Sequence, residues 1–367
     1  MPTKSPRIVI IGLGFLMRHM KPCFTALTGS EYQKNIVGTT ATESTIPEKQ
    51  KEMGFEIVHA SYLEVLREIQ PNIIMFSPPP SAVGQLTKNV LIPYYSDVRQ
   101  KMWTIPDVYA FPPDPRVNYY HKSLGSHVFC VNILPNMTFH SGGKYPRCYS
   151  VVSYSQDHEI DLSKIYCLKN FLKPLGYTIY IPPNVINTFI GAYVTCHLIL
   201  NFVFATLDGY QEAGMPMTKE EIAREMQVHL LRKITEKNVT HREFSQSYEL
   251  LIDSMTEGIF EHYKTHGFVG DLAQETLTVQ LNAFLDLVIS ESRDGLVKKS
   301  QGHATKGGLL ENAEELFEEK MMEKIKRDIV HNQGLSLKIS GEIKDFIMDT
   351  CAFISAFSNG YSGIRNY

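Results

Sequence analysis

Net charge is nearly absent from this 367-residue chain: 36 Lys and Arg stand against 39 Asp and Glu, for a formal charge of −3. With a pI near 6.5 there is no basic field to gather nucleic-acid phosphates or anionic headgroups, so neither nucleic acid nor a membrane surface is expected as a partner. Cysteine is sparse and unpatterned. The six residues, at 23, 130, 148, 167, 196 and 351, contain no CxxC pair, which excludes a disulfide framework and fits reduced thiols of a cytoplasmic protein. No histidine pair with an acidic partner reads as a metal-binding motif, so no metal is expected. Repeats and low-complexity tracts are missing too. The first residues run directly into an apolar strand, so no signal peptide is expected.

What the chain does have is 43% hydrophobic residues, ample for a sizeable core, and a length that favours two domains. One stretch, Val185 through Leu207, holds no charged side chain and is long enough to cross a bilayer. Asn187, Thr188, Thr195, His197 and Asn201 punctuate it, and polar groups are costly in lipid, so a buried helix is expected over a membrane span.

The first 80 residues alternate strand and helix signals. Arg7–Ile11, Asn35–Gly38, Phe55–Val58 and Asn72–Phe76 read as short apolar strands. Helices are expected over 16–27, 47–53 and 62–69, and this alternation predicts a parallel sheet with right-handed crossovers. From 95 to 148 the prolines break up any long helix, with a strand at Val128–Leu134. Strands at 149–154 and 178–181 flank a helix over 162–172. After Pro182-Pro183 the expected elements are all helices, over 184–210, 218–236, 241–265, 270–293, 309–330 and 341–357. The expected architecture is α/β: a Rossmann-type parallel sheet domain over 1–182, then an all-α domain over 183–367.

Between the first strand and the first helix lies Gly12-Leu13-Gly14-Phe15-Leu16-Met17. Gly12 permits a tight turn there, and Gly14 lets the main chain approach a pyrophosphate whose charge meets the helix N-terminus. The third fingerprint position, ordinarily Gly or Ala, is Met17. Strand before and helix after support a dinucleotide site. An acidic residue ending the second strand would favour NAD through the ribose hydroxyl, whereas this chain has Gly38-Thr39-Thr40-Ala41-Thr42. Small hydroxyls without a carboxylate leave room for a 2′-phosphate, which favours NADP, although no Arg adjoins them in the sequence.

Several segments, in order, resemble the pyrroline-5-carboxylate reductase family. They are Pro47 with Lys51-Glu52-Met53-Gly54, Phe76-Ser77-Pro78-Pro79, Val131 to Asn136, Asp208 with Ala213-Gly214-Met215-Pro216, and Thr305 to Leu310. The resemblance implies a Rossmann domain and a helical domain through which two copies dimerise. It places the cofactor against Gly12, Gly14, Phe15, Leu16, Thr39, Thr40, Ser77, Pro78, Pro79 and Asn136. At the substrate site the chain departs from the family. Its glycine-rich start of the long helix is replaced by Tyr193 to Leu198, and the two hydroxyls after the glycine pair are Leu309 and Leu310. A site without those donors should bind the family's amino-acid substrate poorly, so another imine or a ketone is expected.

Hydride transfer needs the acceptor carbon placed against the nicotinamide and a proton supplied. His197 is the candidate proton donor, Thr195 a candidate hydrogen-bonding group, and Lys306 a candidate anchor for a substrate carboxylate. His197 reads at least as well as a core histidine, and Lys306 more readily as a solvated turn residue. The expected function is reduction of a C=N or C=O bond in a small metabolite by NADPH. The alternative is a dinucleotide-binding sensor or scaffold without catalysis, and a third reading makes 185–207 a membrane anchor.

Overall fold

In the computed structural model, the described residues are 6–29, 32–112, 116–135, 149–154, 162–235, 247–303 and 308–358. The chain divides into two compact units, parting between Ile186 and Asn187.

The first unit is built on an eight-stranded sheet. Its strands are β1 (Ile8–Ile11), β2 (Ile36–Thr39), β3 (Glu56–Val58), β4 (Ile73–Phe76), β5 (Asp107–Ala110), β6 (Cys130–Pro135), β7 (Tyr149–Tyr154) and β8 (Tyr177–Tyr180). They lie in the order β3-β2-β1-β4-β5-β6-β7-β8. The first six are parallel, and 3-2-1-4-5-6 is the doubly wound order of a Rossmann sheet. β7 then runs antiparallel to β6, pairing Ile133 with Val152, and β8 is parallel to β7. The all-apolar text of β1 follows from its central position: Ile8 and Ile10 join the core on one face, Val9 and Ile11 the core on the other.

The helices of this unit are α1 (Phe15–His19), α2 (Lys21–Thr28), α3 (Tyr32–Asn35), α4 (Ile46–Met53), α5 (Tyr62–Ile69), α6 (Pro80–Leu86), α7 (Ile92–Gln100), α8 (Val117–Leu124) and α9 (Leu162–Leu172). The single helix expected over 16–27 is in fact α1 and α2, broken at Met20, because Pro22 in the first turn of α2 has no N–H to continue the ladder. The proline-rich stretch hides regular structure that composition alone did not disclose. Between α6 and α7 a π-helical turn, Thr87–Leu91, shifts the hydrogen-bond register ahead of Pro93, so the helix passes a proline without ending. β5 and α8 also fall in this stretch, with Pro106 just before β5.

Among the described residues the second unit is helical throughout. Its elements are α10 (Ile186–His197), α11 (Ile199–Glu212), α12 (Lys219–Thr235), α13 (Ser247–Thr265), α14 (Asp271–Ser290), α15 (Arg293–His303), α16 (Leu309–Phe317), α17 (Glu323–Asn332) and α18 (Leu337–Ser358). The expected 184–210 helix is two, since Leu198 N–H bonds the Thr195 carbonyl three residues back rather than four. The Thr195 hydroxyl also donates to the Gly191 carbonyl at 2.7 Å, an intrahelical bond that bends helices. Pro183–Glu212 holds an 18-residue window apolar enough to span a bilayer, with mean hydropathy 1.7, but 83% of that window is buried in the protein, as a core element would be. A π-helical turn at Glu318–Met322 joins α16 to α17. α15 went unread in the sequence because it carries little amphipathic pattern.

Candidate functional site

The carboxyl ends of β1 and β4 meet where the strand order reverses, which is where open α/β sheets bind nucleotides. Gly12 sits there at φ +90°. A Cβ on it would overlap the Ser77 carbonyl oxygen and come within 2.8 Å of the Pro78 nitrogen. The Ser77 amide in turn donates to the Ile11 carbonyl at 2.8 Å. Only glycine fits this approach, so Gly12, Ser77 and Pro78 form one rigid corner.

Gly14 differs. Its φ is −87°, it is exposed, and an added Cβ would meet nothing within 4 Å. It is the N-cap residue of α1, where no side chain caps the helix and no acidic residue occupies the first turn. The amides opening α1 therefore have no capping side chain of their own, as a pyrophosphate site requires. Phe15 contributes its main chain to this turn, while Leu16 packs against the core. Met17 at the third fingerprint position is fully buried and fills the helix–sheet layer where a glycine would leave contact distance. Pro79 is exposed beyond the corner.

At the end of β2 the two threonines part company. Thr39 is buried and its hydroxyl donates to the Ile10 carbonyl at 2.7 Å, a bond that locks β2 to β1. Thr40 instead receives the Lys49 ammonium of α4 on its hydroxyl oxygen at 2.9 Å. His59 Nδ1 donates to the Thr40 carbonyl at 3.1 Å. Burial first, and then the neighbouring Arg18 charge, lower the Lys49 pKa. Arg18 itself pairs with Glu52 at 3.2 Å. Lys49 and Arg18 are thus cations beside the strand end, which sequence inspection missed because neither adjoins the threonines. Their signal was position: Lys49 lies early in the helix after β2, where one turn returns it to the strand end.

The catalytic candidates fare differently. Thr195 is fully buried with its hydroxyl bonded within its own helix. His197 is also buried, its ring 4.3 Å from Phe284 and 5.4 Å from Tyr193, centroid to centroid. Both sit inside the packing of the second unit. Lys306 and Asn136 lie outside the described residues. His262 and His266 are four residues apart with rings 4.6 Å apart, but His262 Nε2 faces the Thr188 carbonyl at 3.3 Å and Ser355 Oγ at 3.1 Å. Among the described residues no group of His, Cys, Asp or Glu could hold a metal ion.

The sequence matches no protein-family model and no curated protein. Solved structures similar to it include pyrroline carboxylate reductase of Plasmodium falciparum with NADP bound, at 12% identity over 94% of this chain and 99% of that one, TM-score 0.41. An imine reductase from Myxococcus stipitatus in complex with NADP+ is 12% identical over 80% of this chain and 99% of that chain, TM-score 0.47. Prephenate dehydrogenase of A. aeolicus is 15% identical over 89% and 99%, TM-score 0.40. Likeness at that level assigns no activity, ligand or partner to this chain.

Proposed function

We propose that the protein is an NADP-dependent oxidoreductase that reduces a C=N or C=O bond in a small metabolite. The observation that carries this reading is the uncapped Gly12–Gly14 turn at the switch point of the sheet, held rigid by Ser77 and Pro78. The chain's residues fit the cofactor: uncapped amides at α1 for the pyrophosphate, and Lys49 with Thr40 beyond β2 for a 2′-phosphate. When bound, NADPH supplies the hydride. The protein's part is to hold the pyrophosphate by main-chain amides and to select the phosphorylated ribose by charge. Thr39 takes no part in that selection, since its hydroxyl bonds Ile10.

Five described cysteines are free thiols, four of them buried, which supports a reducing, cytoplasmic setting. Exposed Leu337, Phe353 and Phe357 on α18 support self-association of the second unit as a homodimer, which light scattering on the purified chain would test.

The test is titration with NADPH and NADH, by calorimetry, of the wild type and Lys49→Met. NADPH is expected to bind about tenfold more tightly than NADH, and the variant to lose that preference with NADH affinity unchanged. Absence of heat with either nucleotide, oxidised or reduced, would sink the reading. Turnover is then followed as NADPH oxidation over a panel of cyclic imines and ketones. A second reading, a nucleotide-binding sensor or scaffold, is favoured by the burial of His197 and Thr195. Tight binding without turnover on any acceptor would establish it.

A further inference from the structure

The second unit contains a cavity of its own, about 280 Å³, between α11, α15 and the turn joining α16 to α17. Phe204, Leu296 and Met322 give it apolar walls. Two charged zones face it, and they differ in kind.

One zone is neutralised. Arg293 grips Asp208 through both guanidinium nitrogens, at 2.8 and 3.0 Å, and its guanidinium lies 4.8 Å above the Phe204 ring. Lys326 approaches the same carboxylate at 4.0 Å. The fork that would take an anionic ligand is therefore already occupied.

The other zone is not. Glu314 and Glu318 lie one turn apart, and among the described residues no basic side chain pairs with either. Glu314 is half-buried and accepts the Ser300 hydroxyl. Burial, with repulsion from Glu318 and Glu311 against the Ser300 bond, raises its pKa. A carboxyl group in that position gains from a cationic partner. Two carboxylates beside apolar walls are too few oxygen ligands for a bare metal ion, and among the described residues no group of His, Cys, Asp or Glu could hold one, whereas an organic cation is matched at both ends.

We propose that this cavity binds a small organic ammonium ion, its apolar body between Phe204 and Met322 and its N–H groups on Glu314 and Glu318. The volume equals about nine waters of liquid, so a ligand of roughly seven non-hydrogen atoms fits. The site stands apart from the nucleotide reading and neither depends on the other.

Cyclohexylammonium, cyclohexanol and cyclohexanecarboxylate share a body and differ in charge. Calorimetric titration of the full chain with each is the test. The ammonium is expected to bind in the sub-millimolar range, with the alcohol about tenfold weaker and the carboxylate undetected. Glu314→Gln should weaken the ammonium about tenfold, and Glu318→Gln, at an exposed position, several-fold. NADPH titrated into the same samples should give unchanged affinity, so failure of this site and failure of the nucleotide site are told apart. Ammonium silent up to about 10 mM, alcohol or carboxylate bound equally well, or both variants binding like the wild type would each overturn the proposal.

Discussion

The two units treat their polar groups in opposite ways. In the first, polar groups that could meet a ligand gather at the carboxyl ends of β1, β2 and β4, where Gly14 is exposed and Lys49 reaches Thr40. In the second, the side chains that most resemble catalytic residues are drawn into packing. Thr195 bonds Gly191, His229 bonds Asp253 at 3.0 Å, and His262 meets Thr188 and Ser355. Glycine follows the same division. Gly14 has open space around it, while a Cβ on Gly191 would overlap Ser355 Oγ and the Cys351 carbonyl, because α18 lies flush against α10. A site made of main chain announces itself by conformation; one made of side chains is known only once their partners are.

The largest expected effect comes from setting Gly12 against Gly14. Gly12→Ala combines a left-handed φ with overlap at Ser77, so it should cost about 3 kcal/mol in thermal unfolding and abolish nucleotide binding. Gly14→Ala, with negative φ and nothing nearby, should leave unfolding unchanged and weaken NADPH about tenfold by crowding the pyrophosphate. Equal loss of stability in both variants would break the distinction between a structural and a ligand-facing glycine.

A smaller effect concerns acid. Burial first, and then His266, lower the His262 pKa from 6.5 to about 4, so the folded chain keeps this imidazole neutral. Between those values the unfolded chain binds a proton that the folded chain refuses. Stability is therefore full above pH 6.5 and falls as the pH drops towards 4, by about 3 kcal/mol from this group. Thermal unfolding at pH 7 and pH 4.5, compared with His262→Gln, should show a shallower acid loss in the variant. An identical slope would mean that the imidazole is protonated in the folded state.

The first unit was legible in the sequence because its signals are local. Alternating apolar runs and a glycine turn between strand and helix depend on neighbours in the chain, and the strands over 8–11, 36–39, 56–58 and 73–76 stand within a residue or so of expectation. Lys49 was invisible because its partnership with Thr40 arises from the crossover through α4. α6 and α7 were hidden by prolines that, once folded, sit at helix starts or are passed by a π-helical turn, and β5 by Pro106 just before it. Within the second unit, element type was legible and role was not. Whether His197 faces solvent or Phe284 depends on α14, more than 70 residues further along the chain.

The smallest expected effect is the most direct probe of that difference. Thr195→Val keeps the shape of a fully buried side chain and removes only the hydroxyl that bonds the Gly191 carbonyl. That carbonyl remains in a helical ladder, so the loss should be about 1 kcal/mol in unfolding, with NADPH affinity and any turnover unchanged. A fall in turnover of more than about tenfold at preserved stability would exceed what one packing bond accounts for. Thr195 would then return to the reaction, and α10 could no longer be read as a helix whose polar groups serve the core alone.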